Sequence, residues 1–193
     1  MKPPIVKSII ILVIFCLVSC QNDKPLPIIG NQPVADFQFV NQDSQIITNK
    51  TFDGKIYIAN FFFTSCTTIC PGMNRVMKSI FDEHKTEPNL MFLSHSIDFK
   101  YDTPERLKKY SDKLGLKGNR WQFAHGNKSE IYSIAEHSYM SAVIEDNKAK
   151  ENFIHQGYLL LVDKNRQLRG GYDSDNEEQV AQLKADVDKL LRE

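Results

Sequence analysis

The chain has 193 residues, of which 41% are hydrophobic and 25% are charged, proportions typical of one globular domain. Its 24 Lys and Arg residues balance its 24 Asp and Glu residues, so there is no surplus of cations to neutralise phosphates, and we exclude nucleic acid as a partner. The 4 cysteines are too few for a small scaffold held together by disulfides, and their role depends on the compartment in which the protein folds.

The N-terminus has the pattern of a bacterial secretion signal. A basic start with Lys2 and Lys7 precedes an unbroken apolar run at residues 9–18. That run has about half of the ~20 residues in a membrane-spanning helix, so a permanent transmembrane anchor is the weaker interpretation. The sequence Leu-Val-Ser-Cys ending at Cys20 resembles the lipobox at which lipoprotein signals are cleaved. We therefore predict a lipoprotein signal peptide at residues 1–19 and a lipid on Cys20, with an ordinary signal as the alternative.

The signal is followed by a predicted tether and then by the folded domain. Residues 20–33 contain three prolines and few large apolar residues, which is typical of a flexible tether, and the domain is assigned to residues 34–193. Because Cys16 leaves with the signal and the next cysteine carries the lipid, the domain retains only Cys66 and Cys70. An inert disulfide between them is one interpretation, but closing so short a loop removes little entropy from the unfolded chain. A chemical role is the better explanation.

Strand-like and helix-like segments alternate along the domain. Strands are indicated by β-branched and aromatic runs, and helices by apolar residues at helical spacing. In chain order we predict a β-hairpin at 35–40 and 45–48, a strand buried on both faces at 55–63, a helix after 71, a strand at 90–97, a helix at 103–114, a strand at 121–124, a helix at 127–139, strands at 158–162 and 167–172, and a helix at 177–191. This order predicts an α/β fold with a central mixed sheet flanked by helices and an extra N-terminal β-hairpin.

Cys66 and Cys70 lie where the chain leaves the strand at 55–63 and enters the next helix. The carboxyl ends of strands are where α/β sheets usually bind ligands. A separation of four residues puts both sulfurs on one side of a helical turn, and a helix N-terminus favours thiolate over thiol. We therefore expect both cysteines to be reactive.

Three motifs occur in order along the domain. They are FFFTSCTTICP at residues 61–71, SIDFKYDTP at 96–104, and FIH at 153–155 leading into YLLLVD at 158–163. Together they resemble the Sco/SenC family of copper chaperones, over roughly residues 34–191. The resemblance implies a thioredoxin-like fold, a lipid-anchored position in the bacterial cell envelope facing the periplasm, and delivery of copper to the binuclear copper A centre of cytochrome c oxidase.

Carried over by position, the resemblance puts the family's copper ligands on Cys66, Cys70 and His155. Two thiolates and an imidazole suit copper, as Cu(I), Cu(II) or both, although such a set with an open position also suits zinc. The implied partners are the copper-bearing subunit of cytochrome c oxidase and, in addition, another copper chaperone or a thiol reductant. Asp98 and Asp102 match the family's acidic motif, which implies a role near the copper site or in docking, although they could instead cap a turn or end a loop.

His155 has competitors among the other histidines of the chain. It is favoured because it stands just before an apolar strand, in a loop that a thioredoxin-like fold brings opposite the cysteines. His84 and His137 have polar neighbours and are expected to be solvated, and His125 could be either solvated or buried. His95 lies within a predicted strand, where we expect a buried neutral imidazole satisfied by a hydrogen bond.

Two positions depart from the family pattern. Thr67 stands where many members have proline, which loosens the loop between the cysteines. Gly157 lies near the position where thioredoxins have a cis-proline that normally blocks metal binding at a dithiol.

The main hypothesis is a metallochaperone rather than an enzyme, with a redox-active cysteine pair. The alternatives are a thiol-disulfide oxidoreductase that uses Cys66 and Cys70 without carrying copper, and an envelope lipoprotein with an incidental disulfide.

Overall fold

A computed structural model of the chain describes residues 24–141, 143–145, 153–155 and 157–193, with 143–145 and 153–155 described by their backbone. The predicted signal peptide and Cys20 lie outside the described residues. Within these ranges, no helix is both long enough and apolar enough to cross a membrane.

The domain contains the predicted helices and strands, with ends shifted by a few residues, and three short elements in addition. The additional elements are a 3-10 helix and the strands β6 and β7. In chain order the elements are β1 (Gln38–Val40), β2 (Ile46–Thr48), the 3-10 helix (Asn49–Phe52), β3 (Ile56–Phe62), α1 (Cys70–Glu83), β4 (Leu90–Ser96), α2 (Pro104–Lys113), β5 (Trp121–Ala124), α3 (Lys128–Ser138), β6 (Val143–Glu145), β7 (Phe153–His155), β8 (Tyr158–Val162), β9 (Leu168–Asp173) and α4 (Glu177–Arg192).

Five strands form the central sheet in the order β5-β4-β3-β8-β9. β3, β4 and β5 run parallel, whereas β8 is antiparallel to β3 and β9 is antiparallel to β8. Every residue of β3 and β4 is buried, as expected for strands covered on both faces. The predicted α/β class, with a central mixed sheet and a separate N-terminal hairpin of β1 and β2, is confirmed.

The strand register defines two ends of the sheet. β3 and β4 finish side by side, with Phe62 opposite Ser96, and we call this the carboxyl end of the sheet. β8 runs the other way, so that its last residue, Val162, lies opposite Tyr57 near the start of β3. The turn between β8 and β9 therefore lies at the other end, which we call the amino end.

The N-terminal hairpin covers one face of the sheet. Val40 forms an isolated antiparallel bridge with His125, in which each backbone N–H donates to the carbonyl of the other residue, at 3.0 and 2.8 Å. A Cβ atom at Gly126 would lie 2.5 Å from the Phe39 ring, so only glycine permits this close approach.

His95 lies beneath this hairpin in a cage of aromatic rings. It is fully buried on β4, with ring centroids of Phe37, Phe39, Phe61 and Tyr139 between 5.0 and 6.3 Å from its own. Among the described residues, neither imidazole nitrogen has a hydrogen-bond partner. The sequence-based expectation of a satisfying hydrogen bond is therefore wrong, and the imidazole packs against aromatic rings instead. Burial disfavours the charged form and lowers the pKa of His95 to about 3.

We expect His95 to make folding stability depend on pH. Between pH 6.5 and about 3 the unfolded chain binds a proton at His95 and the folded chain does not, so the free energy of unfolding falls as the pH falls. Relative to His95→Leu, the wild type should lose about 1.4 kcal/mol per pH unit in this window, as measured by urea unfolding. His137→Leu, which removes an exposed histidine, is the control. Parallel stability curves for wild type and His95→Leu would contradict this account.

Candidate functional site

The two cysteines lie at the carboxyl end of the sheet, between the central strand and the first helix. β3 ends at Phe62, and the Cys66 backbone N–H donates to the Phe63 carbonyl at 3.2 Å in the turn that leads to α1. Both side chains are buried thiols, with 8% of Cys66 and 0% of Cys70 exposed. The structure thus brings Cys66 and Cys70 together at the junction that the sequence predicts, and Cys66 is the one nearer to solvent.

The Cys66 sulfur stands at the N-terminus of α1. The residue at the N-cap position, Ile69, has no side chain that can accept a hydrogen bond, and Pro71 has no backbone N–H to donate. The backbone N–H of Cys70 donates to Cys66 Sγ at 3.4 Å, and Thr68 Oγ1 lies 3.8 Å from the same sulfur. The helix dipole and this N–H both favour a negative charge on the sulfur. Cys66 is therefore suited to act as a thiolate, either as a nucleophile or as a metal donor.

His155 is placed by the backbone of β7. It pairs with Val143 in the antiparallel hairpin of β6 and β7, three residues before β8 begins at Tyr158. The register of β8, with Leu160 opposite Ala59, continues to put Tyr158 beside the end of β3. His155, three residues before Tyr158, therefore lies before β8 on the side of the carboxyl end of the sheet. Its ligation of a metal stays a prediction from the sequence.

Within the side chains that the structure describes, which do not include that of His155, no group of three His, Cys, Asp or Glu residues could hold a metal ion. Gly157, which lies near the position where thioredoxins have a cis-proline, is half-buried, and a Cβ atom there would lie 3.3 Å from Ser174 Oγ. The backbone at this position therefore runs close to the loop that precedes α4.

Asp102 is fully buried and fastens the turn that carries Cys66. Its carboxylate accepts hydrogen bonds from the Thr64 backbone N–H at 2.9 Å, from the Thr64 hydroxyl, and from Ser96 Oγ at 2.7 Å. Arg106 Nε lies 3.5 Å from the carboxylate and donates to Thr64 Oγ1 at 2.6 Å. Because Thr64 is two residues before Cys66, Asp102 positions the cysteine turn. The role near the copper site or in docking that the family motif implies for Asp102 stays a prediction.

Asp98 closes the loop between β4 and α2. It is 6% exposed, and its carboxylate accepts a hydrogen bond from the Tyr101 backbone N–H at 3.1 Å. Its carbonyl accepts from the Tyr101 and Asp102 N–H groups. Burial raises the pKa of Asp98, and the Tyr101 N–H offsets this in part. These contacts match the turn-capping alternative for Asp98.

A polar chain that the sequence analysis missed lies next to the cysteines. Asn60 on β3 donates to Asn74 on α1 at 3.4 Å, and Asn74 donates to the Tyr110 hydroxyl on α2 at 2.7 Å. Burial raises the pKa of Tyr110, and negative charge on Cys70 and Cys66 raises it further. Two signals could have revealed this chain: an Asn interrupts the apolar run of β3, and Asn74 follows Cys70 by one helical turn.

A buried dithiol between the central parallel strand and the helix that follows it, in a mixed sheet flanked by helices, defines a thioredoxin-like protein. The sequence profile of the SCO1/SenC family matches residues 29–192. The chain belongs to the SCO1/SenC family, which confirms the resemblance of its three motifs.

Individual family members show the same relationship. The SCO1 protein homolog of Bacillus subtilis (strain 168) is 33% identical over 134 residues, which cover 68% of this chain and 69% of that protein. The crystal structure of a SCO1/SenC family lipoprotein from Bacillus anthracis str. Ames has a TM-score of 0.75 at 28% identity, covering 83% of this chain and 95% of that one. BsSco, a Sco family cytochrome c oxidase assembly protein with an identified disulfide switch, has a TM-score of 0.74 at 28% identity, covering 87% and 98%. The thioredoxin-like fold is thereby confirmed.

We expect Asp102→Asn to loosen the cysteine turn, because an amide cannot accept every hydrogen bond that the carboxylate accepts. The loss should lower the free energy of unfolding by about 2 kcal/mol, as measured by urea unfolding. Cys66 should also react faster with Ellman's reagent. Asp112→Asn changes an exposed carboxylate on α2, the helix that follows Asp102, and should leave both measurements unchanged. Equal behaviour of the two variants would show that Asp102 does not position the turn.

Proposed function

We propose that this protein is a lipid-anchored copper-binding protein that delivers copper to the copper A centre of cytochrome c oxidase, or prepares that centre. Copper is its cargo, held by Cys66, Cys70 and His155. The observation that carries the proposal is the pair of buried thiols at the N-terminus of α1, with Cys66 Sγ accepting the helix N–H, in a chain of the SCO1/SenC family.

The chemistry of the donor set supports copper as the metal. Thiolates are soft ligands that select copper over the hard cations that prefer carboxylates, and an imidazole suits copper as well. Both thiols must lose a proton when the metal binds, and the N–H of Cys70 and the α1 dipole favour that loss at Cys66. A three-ligand site leaves a position open, so a partner's ligand can attach before the protein's own ligands leave.

A second candidate function is reduction of a partner's disulfide. Its support is the unequal burial of the two thiols, because Cys66 is nearer to solvent and Cys70 is fully enclosed. The Cys66 thiolate would attack one sulfur of the partner's disulfide, forming a mixed disulfide and releasing the partner's first thiolate. Cys70, after losing its proton, would then attack Cys66 Sγ, forming an internal disulfide and releasing the second thiolate. Two electrons pass from this protein to the partner.

The proposed location is the periplasmic side of a bacterial membrane, with Cys20 carrying the lipid. The Leu-Val-Ser-Cys sequence supports this location, and the similar protein from Bacillus anthracis is described as a lipoprotein. The proposed partners are the copper-bearing subunit of cytochrome c oxidase and either a second copper chaperone or a thiol reductant.

Copper titration of the chain from Gln21 onward tests the three-ligand site. We expect one copper ion per chain, with Cys66→Ser, Cys70→Ser and His155→Ala each weakening binding by more than the roughly 10- to 100-fold that loss of an outer-shell group costs. Affinity is measured by competition with a chelator, and the ligand set by the copper absorption spectrum. His137→Ala removes an exposed imidazole on α3 and is the matched control. Unchanged affinity and spectrum in His155→Ala would mean that the three-ligand site is wrong.

Trapping of a mixed disulfide tests the second function. If Cys66 attacks and Cys70 resolves, Cys70→Ser should accumulate a covalent complex with a disulfide-bonded peptide, and Cys66→Ser should accumulate none. Non-reducing electrophoresis with mass spectrometry measures both. Rapid disulfide reduction by a wild type that binds no copper would replace the first function by the second, whereas the absence of any mixed disulfide would remove the second.

A further inference from the structure

The segment that precedes the domain is held against its surface. Residues 24–34, which we call the N-terminal segment, run beside β9 and the end of α4. The Ile29 backbone N–H donates to the Leu168 carbonyl at 2.7 Å in an isolated antiparallel bridge, and the Val34 N–H donates to the Arg166 carbonyl at 2.8 Å. The N-terminal segment is thus bonded at Ile29 to the edge strand β9, within the stretch for which the sequence predicts a flexible tether.

A buried ion pair holds this segment in place. Arg169 and Asp163, which we call the clamp, have side chains that are 8% and 6% exposed, and Arg169 Nη1 donates to Asp163 Oδ2 at 2.7 Å. The other donors of the guanidinium reach the N-terminal segment: Nε donates to the Pro27 carbonyl at 3.2 Å and Nη2 to the Leu26 carbonyl at 2.5 Å. Lys189 on α4 donates to the Lys24 carbonyl.

The chemistry of the clamp ties the segment to the domain. A buried guanidinium is costly unless its charge is paired and its N–H groups are satisfied. Asp163 supplies the charge, and its other oxygen accepts the backbone N–H groups of Asn165 and Gln167, which fixes the carboxylate within the β8–β9 turn. Only the carbonyls of the N-terminal segment satisfy Nε and Nη2 among the described residues, so release of the segment would break both of these charge-assisted hydrogen bonds.

The clamp and the cysteines lie at opposite ends of the sheet. Leu168, beside the clamp, pairs with Val162, which pairs in turn with Tyr57 near the start of β3. Cys66 follows the other end of that strand. β3 has 7 residues, so at ~3.3 Å per residue the two ends are roughly 20 Å apart.

We propose that the clamp fixes where the chain leaves the domain, so that the cysteines are presented on the side facing away from the membrane. The direction of presentation rests on the proposed lipid at Cys20. With the segment held, the chain from residue 20 to 24 can span at most about 15 Å between the lipid and the domain. A chain released up to Val34 could span about 50 Å. The partner that fits this arrangement is a membrane protein whose receiving site is on a domain raised above the bilayer by a distance on the order of 20 Å.

Hydrogen exchange on the chain from Gln21 onward tests the clamp. In Arg169→Met, we expect the Ile29 amide to exchange at least tenfold faster, while the amides of β3 keep their protection and so report an intact core. Arg169→Lys keeps the charge but cannot reach both carbonyls, and it should also lose Ile29 protection. Arg75→Met removes an exposed guanidinium on α1, away from the N-terminal segment, and is the control. Unchanged Ile29 exchange in Arg169→Met and Arg169→Lys would overturn the proposal.

Spin-label distances test the direction of presentation without a membrane. Labels at Lys24→Cys and Lys100→Cys, which replace exposed side chains, in a Cys66→Ser Cys70→Ser background, should give one narrow distance distribution that broadens in Arg169→Met. A broad distribution in both proteins would reject a fixed exit point. Mass spectrometry of the mature N-terminus reports the lipid separately. A narrow distribution together with an unlipidated Cys20 would support the clamp but contradict the lipid anchor. The proposed orientation relative to a membrane would then be rejected as well.

Discussion

Burial of the central strand on both faces is the constraint on which the rest of the structure depends. β3 pairs with β4 on one side and β8 on the other, and every one of its residues is buried. A shift of one residue would move each side chain to the opposite face, so the hydrophobic core holds the register. Phe62 therefore ends the strand at a fixed height, and the turn to α1 begins there. The position of the thiols follows from apolar packing, and Asp102 then fixes the turn locally.

The two faces of the sheet treat buried polar groups differently. On the face covered by α1 and α2, Asn60, Asn74 and Tyr110 share hydrogen bonds beside the cysteines, in a setting that can respond to charge on sulfur. On the face beneath the N-terminal hairpin, His95 sits among aromatic rings without a polar contact among the described residues. The polar groups of the first face are hydrogen-bonded beside the thiols, whereas burial on the second face opposes the charged form of His95. The sheet thus separates the polar groups beside the thiols from the aromatic cage of His95.

Much of the fold and the position of the cysteines could be predicted from the sequence, because both depend on local patterns. Some patterns depend only on residues that are close in sequence: the apolar run of β3, the Thr103-Pro104 helix start and the Cys66–Cys70 spacing. The surroundings of His95 and Asp102 could not be predicted, because their neighbours come from distant segments such as the hairpin and the Thr64 turn. The short strands β6 and β7 were not predicted, because the seven residues between them exceed the two to five that mark a hairpin in a sequence.

With the proposed lipid on Cys20, the held N-terminal segment would have a kinetic consequence for a partner on the same membrane. A domain joined to its lipid by a short chain would stay within a short distance of the membrane. The effective concentration of its cysteines near membrane-bound partners would then be set by the length of that chain. A longer free chain would lower this effective concentration and let the domain rotate, which would lower the fraction of encounters in the right orientation. The buried guanidinium of Arg169 would thus affect how often this protein and its partner meet in the right orientation, without contacting the binding surface of either protein.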